Sequence, residues 1–168
     1  MNIDDLMFMN KAYLLSGTNL NDRLKNITTV AQLIGEQCGI INKKSSVYET
    51  AAWGKTDQPA FLNQALELST SLNAKQLIRR LLKIEKMMGR IRHEKYGPRI
   101  IDIDILLFNN EQYQLHFLKV PHPEMQNRRF ALKPLAEIAP DLIHPILKKT
   151  VAELLKDCPD ELEVKKYS

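Results

Sequence analysis

Cysteine is nearly absent: Cys38 and Cys158 are the two in 168 residues. No C-x-x-C or H-x-x-x-H cluster accompanies them, so neither a zinc site nor a disulfide framework is expected. Cys38 continues the apolar stripe of a predicted helix, which points to a buried thiol. No apolar run approaches the length needed to span a bilayer. The opening "MNIDDLMFMNKAYLL" starts acidic and lacks the basic region and apolar core of a secretory signal. These absences predict a cytoplasmic protein without a membrane partner. Nucleotide-binding signatures are missing too. "GTNLNDR" lacks the Gly-Lys-Ser/Thr ending of a Walker loop, and no protein-kinase signature set occurs. Any nucleotide must therefore be held by arginines, metal and ordinary pockets.

What is present suits a folded enzyme-sized unit. Hydrophobic residues make up 44% and charged residues 26%, enough for one domain with a proper core. Met9 offers an alternative start, so residues 1–8 are expected to be a disordered preface to a single domain over 9–168. Lys plus Arg total 24 against 20 Asp plus Glu. That mild excess permits a nucleic-acid partner without demanding one, since no long basic run or aromatic–basic interleaving occurs.

The patterning predicts a strand over 11–19 and a helix over 21–39. In that helix Leu24, Ile27, Ala31, Ile34 and Cys38 fall at helical spacing before a stop at Gly39. Strands are expected over 41–50 and 60–70, with a loop over 51–59. The clearest helix is 73–89, with Leu77, Leu81, Ile84 and Met88 in a stripe, Asn73 as cap and Gly89 as end. A basic loop over 90–99 then runs into a strand. Residues 119–130 read as a polar loop, 131–140 as helix broken by Pro134 and Pro140, and 148–164 as a last helix and tail. Strand, helix, strand, strand, helix, strand is the ferredoxin-like βαββαβ order. The predicted fold class is α+β: an antiparallel sheet with both helices on one face, the other face free for a ligand, and a C-terminal extension.

"RIIDIDILLF" (99–108) poses the central question. Side chains alternate along a strand, so Ile101, Ile103 and Ile105 share one face while Asp102 and Asp104 share the other, about 7 Å apart. Two carboxylates on a solvated or edge strand would need no further cause. The alternative is a divalent cation, because paired carboxylates are hard oxygen ligands suited to Mg²⁺ shared with phosphates. Just upstream, "GRIRHEKYGPR" supplies Arg90 and Arg92 between Gly89 and Gly97, and Arg99 just after them. Arginine's planar fork fits phosphate oxygens. Loop and aspartates together suit phosphoryl transfer, which depends on positioning and charge neutralisation.

These stretches carry a family resemblance. "YGPRIIDIDILLF" followed by "VPHPEMQNRRFALKPLAEIAPDLIHP", with "GTNLNDR", "YETAAWGKTDQPAFLN" and "IEKMMGRIR", resembles the hydroxymethyldihydropterin pyrophosphokinases of folate biosynthesis over residues 11–155. The resemblance implies that ATP gives a pyrophosphoryl unit to 6-hydroxymethyl-7,8-dihydropterin, leaving AMP. It implies two Mg²⁺ ions held by Asp102, Asp104 and the ATP phosphates. It assigns Arg90 and Arg92 to a catalytic loop, and Glu85, Arg92, Arg99, His122 and Arg128 to the nucleotide. Phe61 and Phe130 match the pair that stacks on the pterin, and Thr50 and Asn63 match groups at its polar edge. Backbone amides near Ala51 and Trp53 add to that edge, and the Tyr96 ring closes over it. Leu82 and Pro123 stand where other members differ, and no role passes to them. His93, His116 and His144 have no strong claim to function.

The expectation is a monomeric, Mg²⁺-dependent enzyme whose partners are ATP and a reduced pterin, with loops near 51–58 and 90–99 ordering around them. Two rivals stand beside it. A metal-dependent nucleotidyltransferase would release pyrophosphate. A single-strand RNA-binding module would stack bases on the open sheet, but the K/R-G-F/Y signature is missing and two sheet carboxylates would repel phosphate.

Overall fold

The computed structural model describes residues 2, 4–5, 9–52, 57–90 and 97–168. Of the expected preface 1–8, residues 1, 3 and 6–8 lie outside that set. The chain forms β1 (Asn10–Thr18), α1 (Arg23–Gln37), β2 (Ile40–Lys44), β3 (Tyr48–Thr50), β4 (Phe61–Thr70), α2 (Ala74–Met87) and β5 (Asp102–Phe108). A hairpin follows, β6 (Tyr113–Leu115) and β7 (Leu118–Val120), then a 3₁₀ turn (Met125–Asn127), α3 (Arg129–Ile138), α4 (Val151–Lys156) and β8 (Val164–Lys166).

Local chemistry sets the helix bounds. The Asp22 carboxylate accepts from the Lys25 N–H to open α1. Gly39 ends it at φ +154°, where a Cβ would lie 2.1 Å from the Ser69 carbonyl oxygen. Asn73 and Gln76 form a capping box on α2. The expected stripes hold with one exception: Leu24 is 47% exposed, and Val30 joins Ile27, Ala31 and Ile34 instead. Leu24 sits in the first turn of α1, ahead of the turns that meet the sheet.

The main sheet has the order β5-β1-β4-β3-β8, with β2 also pairing β4, and every pairing is antiparallel. The single strand expected over 41–50 is split. β2 pairs with the far end of β4 and β3 with the near end. Ser45 makes the break, its Oγ accepting from the Ala65 N–H at 2.9 Å while its own N–H donates to the Ala65 carbonyl. The expected polar loop over 119–130 holds part of β7 and the 3₁₀ turn. The stretch 148–164 resolves into the short α4 and, at its end, the start of β8.

Two cores flank the sheet. On one side Leu14, Leu66, Leu68, Ile103 and Ile105 pack with Val30, Ile34, Leu77, Leu81 and Ile84 of α1 and α2. On the other side Tyr13, Leu15, Ala65, Leu106 and Leu107 pack with Leu132 and Leu135 of α3 and with Val151 and Leu154 of α4. The second face is therefore not free, as the sequence suggested; α3 and α4 cover part of it. Helix α3 also runs through Pro134 rather than breaking there, with that proline itself buried. Burial of Leu132, Leu135 and Ile138 offsets the lost backbone bond. A bulge at Leu106, where the register shifts from Leu14↔Ile105 to Tyr13↔Leu107, lets Leu106 and Leu107 both enter the second core.

Candidate active site

Among the described residues, the part of the second face that α3 and α4 leave uncovered lies at one end of the sheet. Alternation places Asp102 and Asp104 of β5, Gly17 of β1, Phe61 and Asn63 of β4, and Thr50 of β3 on it. Cross-strand register orders them: Gly17 lies opposite both Asp102 and Asn63, Leu15 opposite Asp104, and Phe61 opposite Thr50. The predicted division of β5 holds, with Ile101, Ile103 and Ile105 buried in the first core and the two aspartates half-buried on the other face.

Asp102 is the hub of a charged network. Its Oδ1 accepts from Arg90 Nη1 at 2.6 Å and its Oδ2 from Arg99 Nη1 at 2.8 Å. The same Arg90 nitrogen also contacts Glu85 Oε1. Glu85 reaches the site from α2, 3% exposed, and its Oε2 accepts from the Ile103 N–H at 3.1 Å. It is therefore no surface charge: it anchors Arg90 and the free edge of β5 together. Burial alone would raise the Asp102 pKa, but Arg90 and Arg99 hold it below the usual carboxylate range. Glu85 is pushed upward, by burial first and by Asp102 second, with Arg90 opposing.

Asp104 behaves differently. Burial and the neighbouring Asp102 charge push it up to about 8, with Arg128 opposing. Two carboxylates this close, one of them short of compensation, form a hard oxygen pair that a divalent cation would neutralise. Among the described residues no group of three His, Cys, Asp or Glu side chains could hold a metal. Such an ion would rely on two carboxylates, with water and phosphate supplying the rest, which suits Mg²⁺.

Beside Asp104, at the free edge of β5, a cleft opens between Ile78 of α2 and the β6–β7 hairpin, lined also by Ile105, Phe117, Lys119 and His122. His122 is held by its own N–H donating to the Leu106 carbonyl at 2.9 Å. Its Nδ1 accepts from the Glu124 N–H at 3.1 Å, so the neutral ring carries its proton on Nε2. Burial, then Arg128, lowers its pKa to about 4, and the ring is neutral at pH 7. The guanidinium of Arg128 stands 5.7 Å from the Phe130 ring centroid, and that of Arg99 stands 5.7 Å from the Phe61 centroid. The Thr50 hydroxyl donates to the Glu163 carbonyl at 2.9 Å. Ala51 is exposed just past β3. Trp53, Arg92 and Tyr96 lie outside the described residues.

Sequence reasoning missed Asn19. It is 2% exposed, its Oδ1 accepts from the Arg99 N–H at 2.9 Å, and its own N–H donates to the Arg99 carbonyl at 3.2 Å. Its Nδ2 donates to Gln58 Oε1 and the Pro59 carbonyl. The Arg99 segment is thereby tied to the chain leading into β4. The motif "GTNLNDR" carried the signal, but nothing local distinguishes a clamp from a turn asparagine. Phe117 and Lys119 of the cleft were missed because a short hairpin within a polar stretch has no periodicity to read.

Residues 13–140 match the model of the 7,8-dihydro-6-hydroxymethylpterin-pyrophosphokinase (HPPK) family. The chain is 43% identical over 145 residues to the 2-amino-4-hydroxy-6-hydroxymethyldihydropteridine pyrophosphokinase of Aquifex aeolicus, covering 86% of this chain and 90% of that one. It is 44% identical over 130 residues to the protein of the same name from Bacillus subtilis, covering 77% of this chain and 78% of that one. Among solved structures, the wild-type Plasmodium falciparum HPPK-DHPS with pteroate matches at a TM-score of 0.71 and 19% identity, over 89% of this chain and 42% of that one. The chain thus spans about two fifths of the solved chain, a likeness that shows the shared fold.

Proposed function

Because this chain belongs to the 7,8-dihydro-6-hydroxymethylpterin-pyrophosphokinase family, we propose that it transfers pyrophosphate from ATP to 6-hydroxymethyl-7,8-dihydropterin at the Asp102–Asp104 end of its sheet. The observation that carries this placement is the convergence on one sheet face of two close carboxylates, an Arg90–Glu85–Arg99 network around the first, and a cleft of mixed polar and apolar lining beside the second. The donor set fits Mg²⁺, two ions with ATP bound, held by Asp102, Asp104 and the phosphates. When bound, that metal neutralises phosphate charge and helps align an in-line displacement. With metal and ATP present, Asp102 would share its oxygens with the ion, and Arg90 and Arg99 would face the phosphates.

The cleft at the β5 edge takes the nucleoside. The alternation that turns the Ile103 N–H outward to Glu85 turns the Ile105 backbone outward too, toward the cleft. His122 offers its Nε2–H as a neutral donor, Arg128 and Arg92 add positive charge, and Glu85 keeps Arg90 in place. The pterin lies toward β4 and β3, stacked by Phe61 and Phe130. Asn63, Thr50 and amides near Ala51 and Trp53 meet its polar edge, and Tyr96 covers it. The strand order and the helices α1 and α2 on one side support a ferredoxin-like scaffold, a single domain over 9–168 with a C-terminal extension. The enzyme works as a cytoplasmic monomer.

The test is product analysis with ATP, Mg²⁺ and the hydroxymethyl pterin. AMP formed one for one with the pterin diphosphate is expected. ADP would mean single phosphoryl transfer, and free pyrophosphate with a nucleotide-linked product would mean nucleotidyl transfer; either overturns the proposal.

A further inference from the structure

Gly17 sits in the middle of the site's floor. It faces Asp102 on one side and Asn63 on the other, so the three residues form one row across β5, β1 and β4. Its backbone is outside the left-handed region, so conformation does not require glycine there. Space does. A Cβ on Gly17 would lie 2.5 Å from Asn63 Nδ2 and 3.7 Å from Asn63 Cγ, with the next atom, the Leu62 carbonyl oxygen, at 3.8 Å. The space that a side chain would fill is taken by the Asn63 amide.

That amide is held in one orientation. Asn63 is 5% exposed, and its Nδ2 donates to the Ser16 carbonyl at 3.2 Å. A carbonyl oxygen cannot face another carbonyl oxygen as its partner, so the amide is fixed with Nδ2 inward. Its Oδ1 is buried and has no hydrogen-bond partner among the described residues. A buried acceptor left unpaired is costly, and a ligand N–H would satisfy it.

We infer that Gly17 is a positioning residue for the pterin: its bare Cα makes the room in which the Asn63 amide stays aimed at an N–H or NH₂ donor of the flat ring. The bare Cα also leaves no side chain standing between Asn63 and Asp102, so a planar substrate can lie across the row toward the phosphates. This rests on the placement of the pterin against Asn63. Among the described residues, the one atom that a Gly17→Ala methyl would crowd is Asn63 Nδ2, at the end of a flexible side chain. The substitution therefore displaces the amide and spares the strand.

The experiment is a double-substitution cycle read by pterin binding, in titrations with a non-hydrolysable ATP analogue and Mg²⁺, and by steady-state KM. Gly17→Ala is expected to raise the pterin Kd and KM at least tenfold, with ATP KM and Tm little changed. Asn63→Ala is expected to weaken the pterin similarly, and adding Gly17→Ala to it should cost nothing further. An unchanged pterin Kd in Gly17→Ala overturns the inference. So does an equal extra loss from Gly17→Ala in the Asn63→Ala background, which would mean the methyl acts without Asn63. An unchanged pterin Kd in Asn63→Ala instead overturns the pterin placement itself. If Gly17→Ala alone does not fold, the double variant, freed of the clash, still decides: pterin binding equal to Asn63→Ala supports the inference, and weaker binding overturns it.

Discussion

Two carboxylate-centred networks share one face of the sheet, at opposite ends, and they are built on different terms. At the far end Glu67 is 5% exposed and fully engaged. Its Oε2 accepts from the Tyr13 hydroxyl at 3.1 Å, its Oε1 accepts from Asn42 Nδ2 at 3.4 Å, and Lys11 Nζ stands 3.7 Å away. Burial and then Glu67 raise the Tyr13 pKa, keeping that hydroxyl a donor. The network closes within the protein and needs no ligand. At the near end Asp102 is held by two arginines, while Asp104, two residues on, is pushed up to about 8. The second core separates the two clusters. Burial of a carboxylate thus says little by itself; what distinguishes a site is charge that the fold leaves partly uncompensated.

The largest effect should come from Asp102→Ala. It removes a proposed metal ligand and leaves Arg90 and Arg99 without their common partner. Turnover is expected to fall by about 10³-fold or more, in the range of losing a major electrostatic group, with Mg²⁺-dependent nucleotide binding lost in calorimetry. Activity within tenfold of the parent would erase the distinction between the two ends. Next in size, Asn19→Ala frees the Arg99 segment from Gln58 and Pro59. A fall of about tenfold in kcat/KM is expected, because small misplacements of oriented groups are expensive. Both substrates should be affected, and a change confined to one would place Asn19 on that side only.

His122 sharpens the comparison through pH. Its folded pKa, lowered to about 4, lies below its unfolded value near 6.5. As pH falls between those values the unfolded chain takes up a proton that the folded chain refuses. Stability therefore rises with pH across that window, and this share of it is lost on acidification from about 6.5 toward 4. Urea titrations at pH 7 and pH 5 should show a smaller loss for His122→Gln than for the parent. Equal losses would mean that His122 does not titrate within the fold as its burial requires.

The sequence was legible where one period governed. Residues Ile101, Ile103 and Ile105 against Asp102 and Asp104 announced a two-faced strand, and Leu77, Leu81 and Ile84 announced α2. The arginine-rich stretch beside them announced anion chemistry. Legibility stopped where tertiary partners decide. Ser45 splits a strand by meeting Ala65, twenty residues away. Helix α3 survives Pro134 because the second core takes its apolar face. Glu85 is assigned to the nucleotide by resemblance alone; nothing local foretold that it would hold Arg90 and the Ile103 N–H. Gly17 gave no local sign that the room it leaves belongs to Asn63.

The smallest effect on catalysis, and the most informative for the comparison, belongs to the far cluster. Tyr13→Phe leaves Glu67 with Asn42 and Lys11, and should lower stability by about 1–2 kcal/mol, the usual cost of removing a buried donor. Glu67→Gln keeps size and burial while removing the charge. Because the two side chains share one hydrogen bond, the double variant should lose less than the sum of the single losses. Neither change should move kcat or either KM by more than twofold, since the closed network sends no uncompensated charge across the core toward Asp104. A drop in turnover approaching that of Asp102→Ala, in protein that remains folded by circular dichroism, would show that the face works as one electrostatic unit.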